Sequence, residues 1–518
     1  MDGSGSGKSA SYSIPNAHQC LGSYVFTDPK GELYDTTAGY LKEQGYDIKV
    51  LNLVRPQYSD GYNPLMHIAS ELDVDVIANT IVKGQKTDSG SDPYWDDMAE
   101  MLLKALIYYL IATRPEEEQN LASCAELVRA ANKNGGSNLL SDLMSQLPYD
   151  HPARMYYKSI EIAPEKTYGS ILSSLQSKLG KFDSKEIAEL TSTDTINFEE
   201  IGSKKTAVYV ISSDTHTAYD FLLTIFFSQM IQQLYDYADQ NGGRLKERTY
   251  FILDEFANIG KIPDFDKKIS TSRSRGISFS VILQNIDQLE AVYEKSYETI
   301  MGNCDTHVFL GSNSFKTVEY FSKQLGEKTI DRDNISINKD KQNHRTGKSL
   351  SDQIMARALM TPDELRRLDN NLCIIFEKGL KPVKAKKFYY FKHPMDKEMQ
   401  RYAISHNDIG EINRGTWRKY NPYNPYVEED EEEKIENLNI ESLDDLFEDE
   451  DKKESVPEVK NDTSVNKEDT ETLDSLLNPN VDADAPLLPQ DEDEDTYDLQ
   501  KELEAKFDEL FGHLDDDE

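Results

Sequence analysis

Cysteine is scarce in this 518-residue chain: four residues, Cys20, Cys124, Cys304 and Cys373, with no C-x-x-C pair. Such scatter argues against a zinc ribbon or a disulfide framework and suits a reducing cytoplasm. No run of 18 apolar residues occurs. The longest candidates, 101–113 and 219–234, are interrupted and read as buried helices rather than membrane spans. The opening residues lack the pattern of a secretory leader. Positive charge is also short, 57 Lys and Arg against 94 Asp and Glu, a net −37. The imbalance is local. From Val427 onward 37 acids face seven bases, so this stretch carries −30 and the preceding 426 residues only −7. Apolar residues make up 38% and aromatic residues 10%, enough for a packed core over part of a chain long enough for two to four domains.

The stretch around which the rest is organised is Thr249-Tyr250-Phe251-Ile252-Leu253-Asp254-Glu255. A continuous apolar run without polar alternation predicts a strand buried on both faces. Carboxylates at its C-terminal end sit where open α/β sheets bind ligands. Asp254 there suits Mg²⁺, which takes oxygen ligands in octahedral array, and Glu255 suits the polarisation of a water that attacks phosphate. The same string also fits a strand end with solvated acids. A second element, Gly3-Ser4-Gly5-Ser6-Gly7-Lys8-Ser9, looks like the end of a phosphate-binding loop. Glycines let backbone N–H groups turn around phosphates, Lys8 adds a point charge, and Ser9 offers a hydroxyl to Mg²⁺. A helix over about 10–19 would aim its positive end at the same place. The alternative is a flexible Gly/Ser leader. Asp2 stands where G-x-x-x-x-G-K-[ST] has its first Gly, and no strand precedes the loop, so Met1 is read as a shortened start.

Along the chain, strand and helix alternate over 23–53, which predicts a parallel sheet. The turn Asp28-Pro29-Lys30-Gly31-Glu32 should share the sheet edge with the phosphate loop, and it also fits an ordinary βα turn. Over about 95 residues from Asp92 no strand-like run occurs, and helices are expected at 93–109, 120–132, 137–146, 153–160 and 167–179. The sheet resumes at 206–211. After a helix at 219–239 come the Asp254-Glu255 strand, a helix near 265–273, a strand at 278–283 ending at Gln284, a helix at 286–293 and a strand at 306–310. Residues 315–325 read as a helix, 333–351 as a loose polar loop, and 372–376 with 385–391 as a closing hairpin around Gly379. Beyond a Pro/Tyr/Asn linker, the acidic, aromatic-poor tail is expected to be disordered. It holds three spaced acidic-hydrophobic patches, 443–447, 473–477 and 507–511, which fit short docking motifs or chance in a Leu/Asp-rich tail.

These blocks together resemble the coupling proteins of type IV secretion and conjugation, the TraG/TraD-type ATPases, and look closest to those of Gram-positive conjugative elements. The resemblance rests on 3–9, 28–32, the Phe-Ile-Leu-Asp-Glu-Phe-Ala-Asn-Ile-Gly block at 251–260, 272–276, Ile282-Leu283-Gln284 and Gly302-Asn303-Cys304-Asp305, and covers about 3–393. It implies an α/β fold: a RecA-like P-loop ATPase sheet with an inserted all-helical domain and a disordered acidic C-terminal tail. The expected division is 1–90 and 195–425 for the ATPase core, 91–194 for the helical insertion and 426–518 for the tail.

The family's roles, carried to matching positions, place ATP phosphates on Gly3, Gly5, Ser6, Gly7, Lys8 and Ser9, and Mg²⁺ on Ser9 and Asp254. Glu255 would activate water, Gln284 would sense the γ-phosphate, and Arg273 would act in trans as a finger. Arg273 and Arg275 also fit a solvated helix end or, with Lys267 and Lys268, a contact for DNA phosphates. The implied activity is an ATPase that drives single-stranded DNA, with its bound relaxase, to a type IV secretion channel. The implied partners are relaxosome proteins, channel subunits and five further copies in a hexamer. The implied place is the cytoplasmic side of the membrane, with membrane contact through a segment outside this chain. Two other readings compete: a non-catalytic motor remnant that binds partners through its tail and helices, and a septal or packaging DNA pump. The helical insertion and the 28–32 block weigh against the second.

Overall fold

A computed structural model describes residues 7–84, 93–132, 139–213, 219–339, 346–423 and 425. Five parallel strands form the main sheet: β1 (Ser23–Thr27), β2 (Asp47–Asn52), β3 (Thr206–Ile211), β4 (Thr249–Leu253) and β5 (Ile277–Val281), in the order β2-β3-β1-β4-β5. The apolar run that predicted a strand buried on both faces is β4, buried apart from half-exposed Tyr250, and every residue of β1 and β3 is buried as well. Alternation divides their side chains between two cores. Tyr24, Phe26, Tyr209 and Ile252 pack with Leu33, Ala38 and Leu41 of the helix Glu32–Glu43. Val25, Val208, Val210, Phe251 and Leu253 face the other way, into a larger core shared with the helix Asp220–Gln240.

Between β2 and β3 the described residues are helical. The helices are Glu71–Lys83, Pro93–Thr113, Leu121–Asn132, Leu139–Ser145, Pro152–Glu161, Glu165–Leu179, Lys185–Ser192 and Phe198–Ser203. Pro93–Thr113 is their axis, with Leu102, Leu103, Leu106 and Leu110 fully buried. The sequence reading passed over Glu71–Lys83, although Val74, Ile77, Ala78 and Ile81 have helical spacing and Ser70 with Asp73 forms a capping box.

Past the sheet, β6 (Thr306–Phe309), β9 (Leu372–Glu377) and β10 (Val383–Lys386) make a small antiparallel sheet in the order β10-β9-β6. Between them lie β7 (Glu327–Lys339) and β8 (Thr346–Ala358), a 13-residue antiparallel ladder. This corrects the loop expected over 333–351. Polarity masked an alternation: Ile335 and Ile337 are two apart, and Ile335 pairs with Leu350. The closing hairpin is also shorter than expected, since Tyr390–Lys392 is a 3₁₀ turn rather than strand.

After β10 the chain runs back across the molecule as a strap. The backbone N–H of Ile404 donates to the Asp35 carbonyl at 3.0 Å, and His406 Nδ1 lies 2.9 Å from Asp35 Oδ1. Arg414 Nη2 pairs with Glu189 at 3.2 Å, and Arg418 Nε donates to Glu118 at 3.2 Å. The Tyr420 ring lies under the Arg114 guanidinium. A Cβ on Gly39 would come within 1.9 Å of the Tyr402 carbonyl oxygen, so only glycine lets the strap lie this close. The acidic tail expected over 426–518 lies outside the described residues.

Candidate nucleotide site

In a parallel sheet the strands end at one edge, and the chain's chemistry collects there. Asp254 and Glu255 follow β4 directly. Glu255 adopts a left-handed backbone, φ +50° and ψ +46°, uncommon for a residue with a side chain. The Thr27 hydroxyl, at the end of β1, donates to the Asp254 carbonyl oxygen at 2.6 Å and fixes this corner. Lys8 comes from the opposite side of the sequence. Gly7 before it has φ +80°, and its carbonyl accepts from the backbone N–H and the hydroxyl of Ser11 at 2.8 and 2.7 Å. A π-helical turn Ser9–Ser13 then leads into Ile14–Ala17.

Lys8 Nζ donates to Glu255 Oε1 at 2.7 Å and lies 3.5 Å from Asp254 Oδ1. Gln284 Nε2 donates to the same Glu255 oxygen at 2.9 Å. Four residues spread over 277 positions of sequence thus meet in one cluster. Its side chains are largely shielded: 11% exposed for Lys8 and Asp254, 17% for Glu255. Burial pushes the Asp254 carboxyl above its ordinary range, and the nearby Lys8 ammonium works against that rise. Among the described residues no group of three or more His, Cys, Asp and Glu forms a ready-made metal cage. One or two oxygens beside a phosphate loop are what Mg²⁺ ordinarily takes from protein, so Asp254 and its surroundings fit that ion.

The other predicted residues fall as follows. Ser9 lies one residue past Lys8, opening the π-helical turn. Gly3, Gly5 and Ser6 lie outside the described residues. Arg273 does not join the cluster: its side chain is 93% exposed, on the helix Phe265–Arg275, with Nη1 3.7 Å from Asp305. The basic patch expected around it is largely neutralised. Arg275 makes two hydrogen bonds to Asp239 at 2.9 and 3.0 Å, Lys267 pairs with Asp264 at 2.6 Å, and half-buried Lys268 is pushed toward its neutral form by desolvation. Helical spacing put four bases on one stretch, but the acids that pair with them come partly from elsewhere in the chain.

Sequence reading missed Thr27, Tyr12 and Tyr389. Tyr12 shares a hydrogen bond of 2.8 Å with Ser280 of β5, and lies four residues after Lys8, one helical turn on. The Tyr389 ring closes on Gly7, where a Cβ would lie 3.1 Å from Cε1. No local signal pairs residues so far apart.

The sequence model of a family described as type IV secretory system conjugative DNA transfer matches residues 1–411. This chain belongs to that family. The conjugal transfer protein TraG of Escherichia coli is 25% identical over 427 residues, covering 75% of this chain and 66% of TraG. Protein VirD4 of Agrobacterium fabrum is 25% identical over 410 residues, covering 75% of this chain and 58% of VirD4. The chain therefore spans less than two thirds of the length of these relatives. Among solved structures, the plasmid coupling protein TrwB in complex with ADP and Mg²⁺ aligns with a TM-score of 0.53 at 17% identity, over 75% of this chain and 84% of that one. TrwB with the non-hydrolysable analogue ADPNP aligns with a TM-score of 0.54. This chain thus has the fold of that solved structure, a parallel sheet with a helical domain. Among its described residues no helix is long and apolar enough to cross a membrane.

The 28–32 turn lies at the same sheet edge as the cluster. Asp28 is 3% exposed and accepts from the Tyr34 N–H at 2.8 Å, at the start of the helix Glu32–Glu43. Burial raises its pKa from 3.8 to about 6. The folded state therefore favours the neutral acid. Its stabilising contribution is full below the unfolded value of 3.8 and lost as pH rises through about 6. Asp28→Asn removes that loss and is expected to gain up to about 3 kcal/mol over the parent between pH 4 and 7. Urea midpoints of both proteins at the two pH values check this; a difference that does not change with pH contradicts it.

Proposed function

We propose that this chain is the ATP-driven motor of a conjugative coupling protein, moving single-stranded DNA with its bound relaxase to a type IV secretion channel. The observation that carries this reading is the meeting of Lys8, Asp254, Glu255 and Gln284 at the C-terminal edge of a parallel sheet. ATP and Mg²⁺, bound together, supply the phosphoryl group and the cation that neutralises its developing charge. Gly7, Lys8 and Ser9, with Gly3, Gly5 and Ser6, would hold the phosphates, and Asp254 and Ser9 would ligate the ion. Lys8 now serves Glu255. A phosphate is the stronger attraction for its ammonium, so nucleotide would draw Lys8 away and leave Glu255 free to take a proton from water. Gln284, already bonded to Glu255, would report γ-phosphate occupancy from that carboxylate to β5 and the helix Ile286–Tyr293.

Arg273, exposed and 3.7 Å from Asp305, suits a neighbouring subunit's site in a homo-hexamer. In this reading 1–90 and 195–425 form the motor, 91–194 the helical insertion, and 426–518 a tail for basic relaxosome or channel partners. It works at the cytoplasmic side of the membrane. The test is ATP turnover of the purified chain with and without a single-stranded oligonucleotide. Stimulation of several-fold, lost in Lys8→Ala, is expected. Nucleotide binding without turnover under either condition would leave a partner-binding remnant instead.

A further inference from the structure

An aromatic step lies against the phosphate loop. The Tyr389 ring sits so close to Gly7, the residue before Lys8, that a Cβ on that glycine would lie 3.1 Å from Tyr389 Cε1. The step is anchored on both sides. As the chain leaves β10, the Lys387 N–H donates to the Asn371 carbonyl at 2.7 Å, and the buried Lys387 ammonium donates to the Leu310 carbonyl at 2.8 Å. Tyr390 then packs against the core that holds Ile14, Ala17 and Leu33. The backbone at Tyr389 is extended, and the Lys392 N–H closes the turn on the Tyr389 carbonyl at 2.9 Å. With Tyr390 turned into the core, Tyr389 and Phe391 meet each other. Their rings stack with centroids 5.2 Å apart and planes 18° from parallel.

This pair is not core. Phe391 is 52% exposed, and so is Phe388 just before it. Lys392 Nζ lies 4.8 Å from the Tyr389 ring centroid and puts a positive charge beside the pair. One exposed aromatic ring on a surface needs no explanation. A stacked pair, fixed by buried anchors and pressed on a phosphate loop, has the form of a platform for a nucleobase, because every base has a face that stacks on an aromatic ring. The base of a nucleotide whose phosphates rest on Gly7 and Lys8 hangs beside that loop through its ribose. The neighbouring ammonium suits the negative charge of the same ligand.

We propose that Phe391, backed by Tyr389, is the stacking platform for the purine base of the bound nucleoside triphosphate. Phe391 presents the exposed ring. Tyr389 holds that ring parallel to its own and sets it beside Gly7. Tyr390 and Lys387 anchor the pair from below. Stacking engages the face of a base and not its hydrogen-bonding edge, so the platform takes adenine and guanine alike. The inference rests on the reading that Gly7 and Lys8 hold the phosphates, and adds the base to it.

Titrations of Mg·ATP, Mg·GTP and Mg·tripolyphosphate into the full chain, Phe391→Ala and Phe391→Tyr test it. Phe391→Ala is expected to weaken ATP and GTP alike by about five- to a hundredfold, the worth of one stacked base, and tripolyphosphate by less than about twofold. Phe391→Tyr keeps a ring and should bind all three as the parent does. In Phe391→Trp, indole emission should be quenched by ATP and not by tripolyphosphate, beyond any change in the parent. Equal weakening of ATP and tripolyphosphate in Phe391→Ala would overturn the proposal, since a residue that only shapes the loop affects both. Unchanged ATP affinity in Phe391→Ala would overturn it too. A parent that binds tripolyphosphate but shows either result leaves the phosphate site standing without the platform, whereas a parent that binds none of the three overturns both.

Discussion

Glu255→Gln is expected to bind Mg·ATP as well as the parent or better, and to hydrolyse it about 10²- to 10⁴-fold more slowly, the range for loss of a positioned general base. The geometry explains both halves. Glutamine keeps the shape of the side chain and can still accept from Gln284 Nε2, now 2.9 Å away. It gives up the charge that holds Lys8 at 2.7 Å, so Lys8 is released toward phosphate. A binding titration beside a turnover assay separates the effects. Unchanged turnover would remove Glu255 from the chemistry and leave it as a holder of Lys8.

Arg273→Ala is the second large effect. Its ion pair with Asp305 is at 3.7 Å on a side chain 93% exposed, so its removal should leave folding nearly unchanged. In the proposed ring it stabilises charge in a neighbour's site, and its loss should lower hydrolysis roughly 10³-fold with ATP binding intact. Mixing Arg273→Ala with Lys8→Ala subunits should restore part of the activity, because some boundaries then join an intact Lys8 to an intact Arg273. No recovery in mixed rings of confirmed composition would place Arg273 in cis or on DNA.

What the sequence made legible was set by the range of the interactions. β1, β3 and β4 announced themselves as uninterrupted apolar runs, since a strand buried on both faces has no polar side to interrupt it. Lys8, Asp254, Glu255 and Gln284 were legible because each follows a short glycine-rich or apolar signal. The long β7–β8 ladder was not, because its polar residues outnumber the alternating Ile335 and Ile337. The strap was not, because Ile404, His406, Arg414 and Tyr420 find partners hundreds of residues earlier and carry no periodicity of their own. The basic patch was misjudged for a related reason: counting Lys267, Lys268, Arg273 and Arg275 along the chain says nothing of Asp239, which folding brings to Arg275.

The central claim is that Lys8 and the carboxylates after β4 are two halves of one nucleotide site. Its most direct test is a calorimetric titration of Mg·ATP, or Mg·ADPNP to exclude turnover, into the chain and into Lys8→Ala. The account predicts one nucleotide per chain, bound more tightly with Mg²⁺ than without, and an affinity about tenfold to a hundredfold weaker in Lys8→Ala, the worth of charge-assisted contacts to phosphate. Equal affinity in the two proteins, or binding indifferent to Mg²⁺, would contradict it.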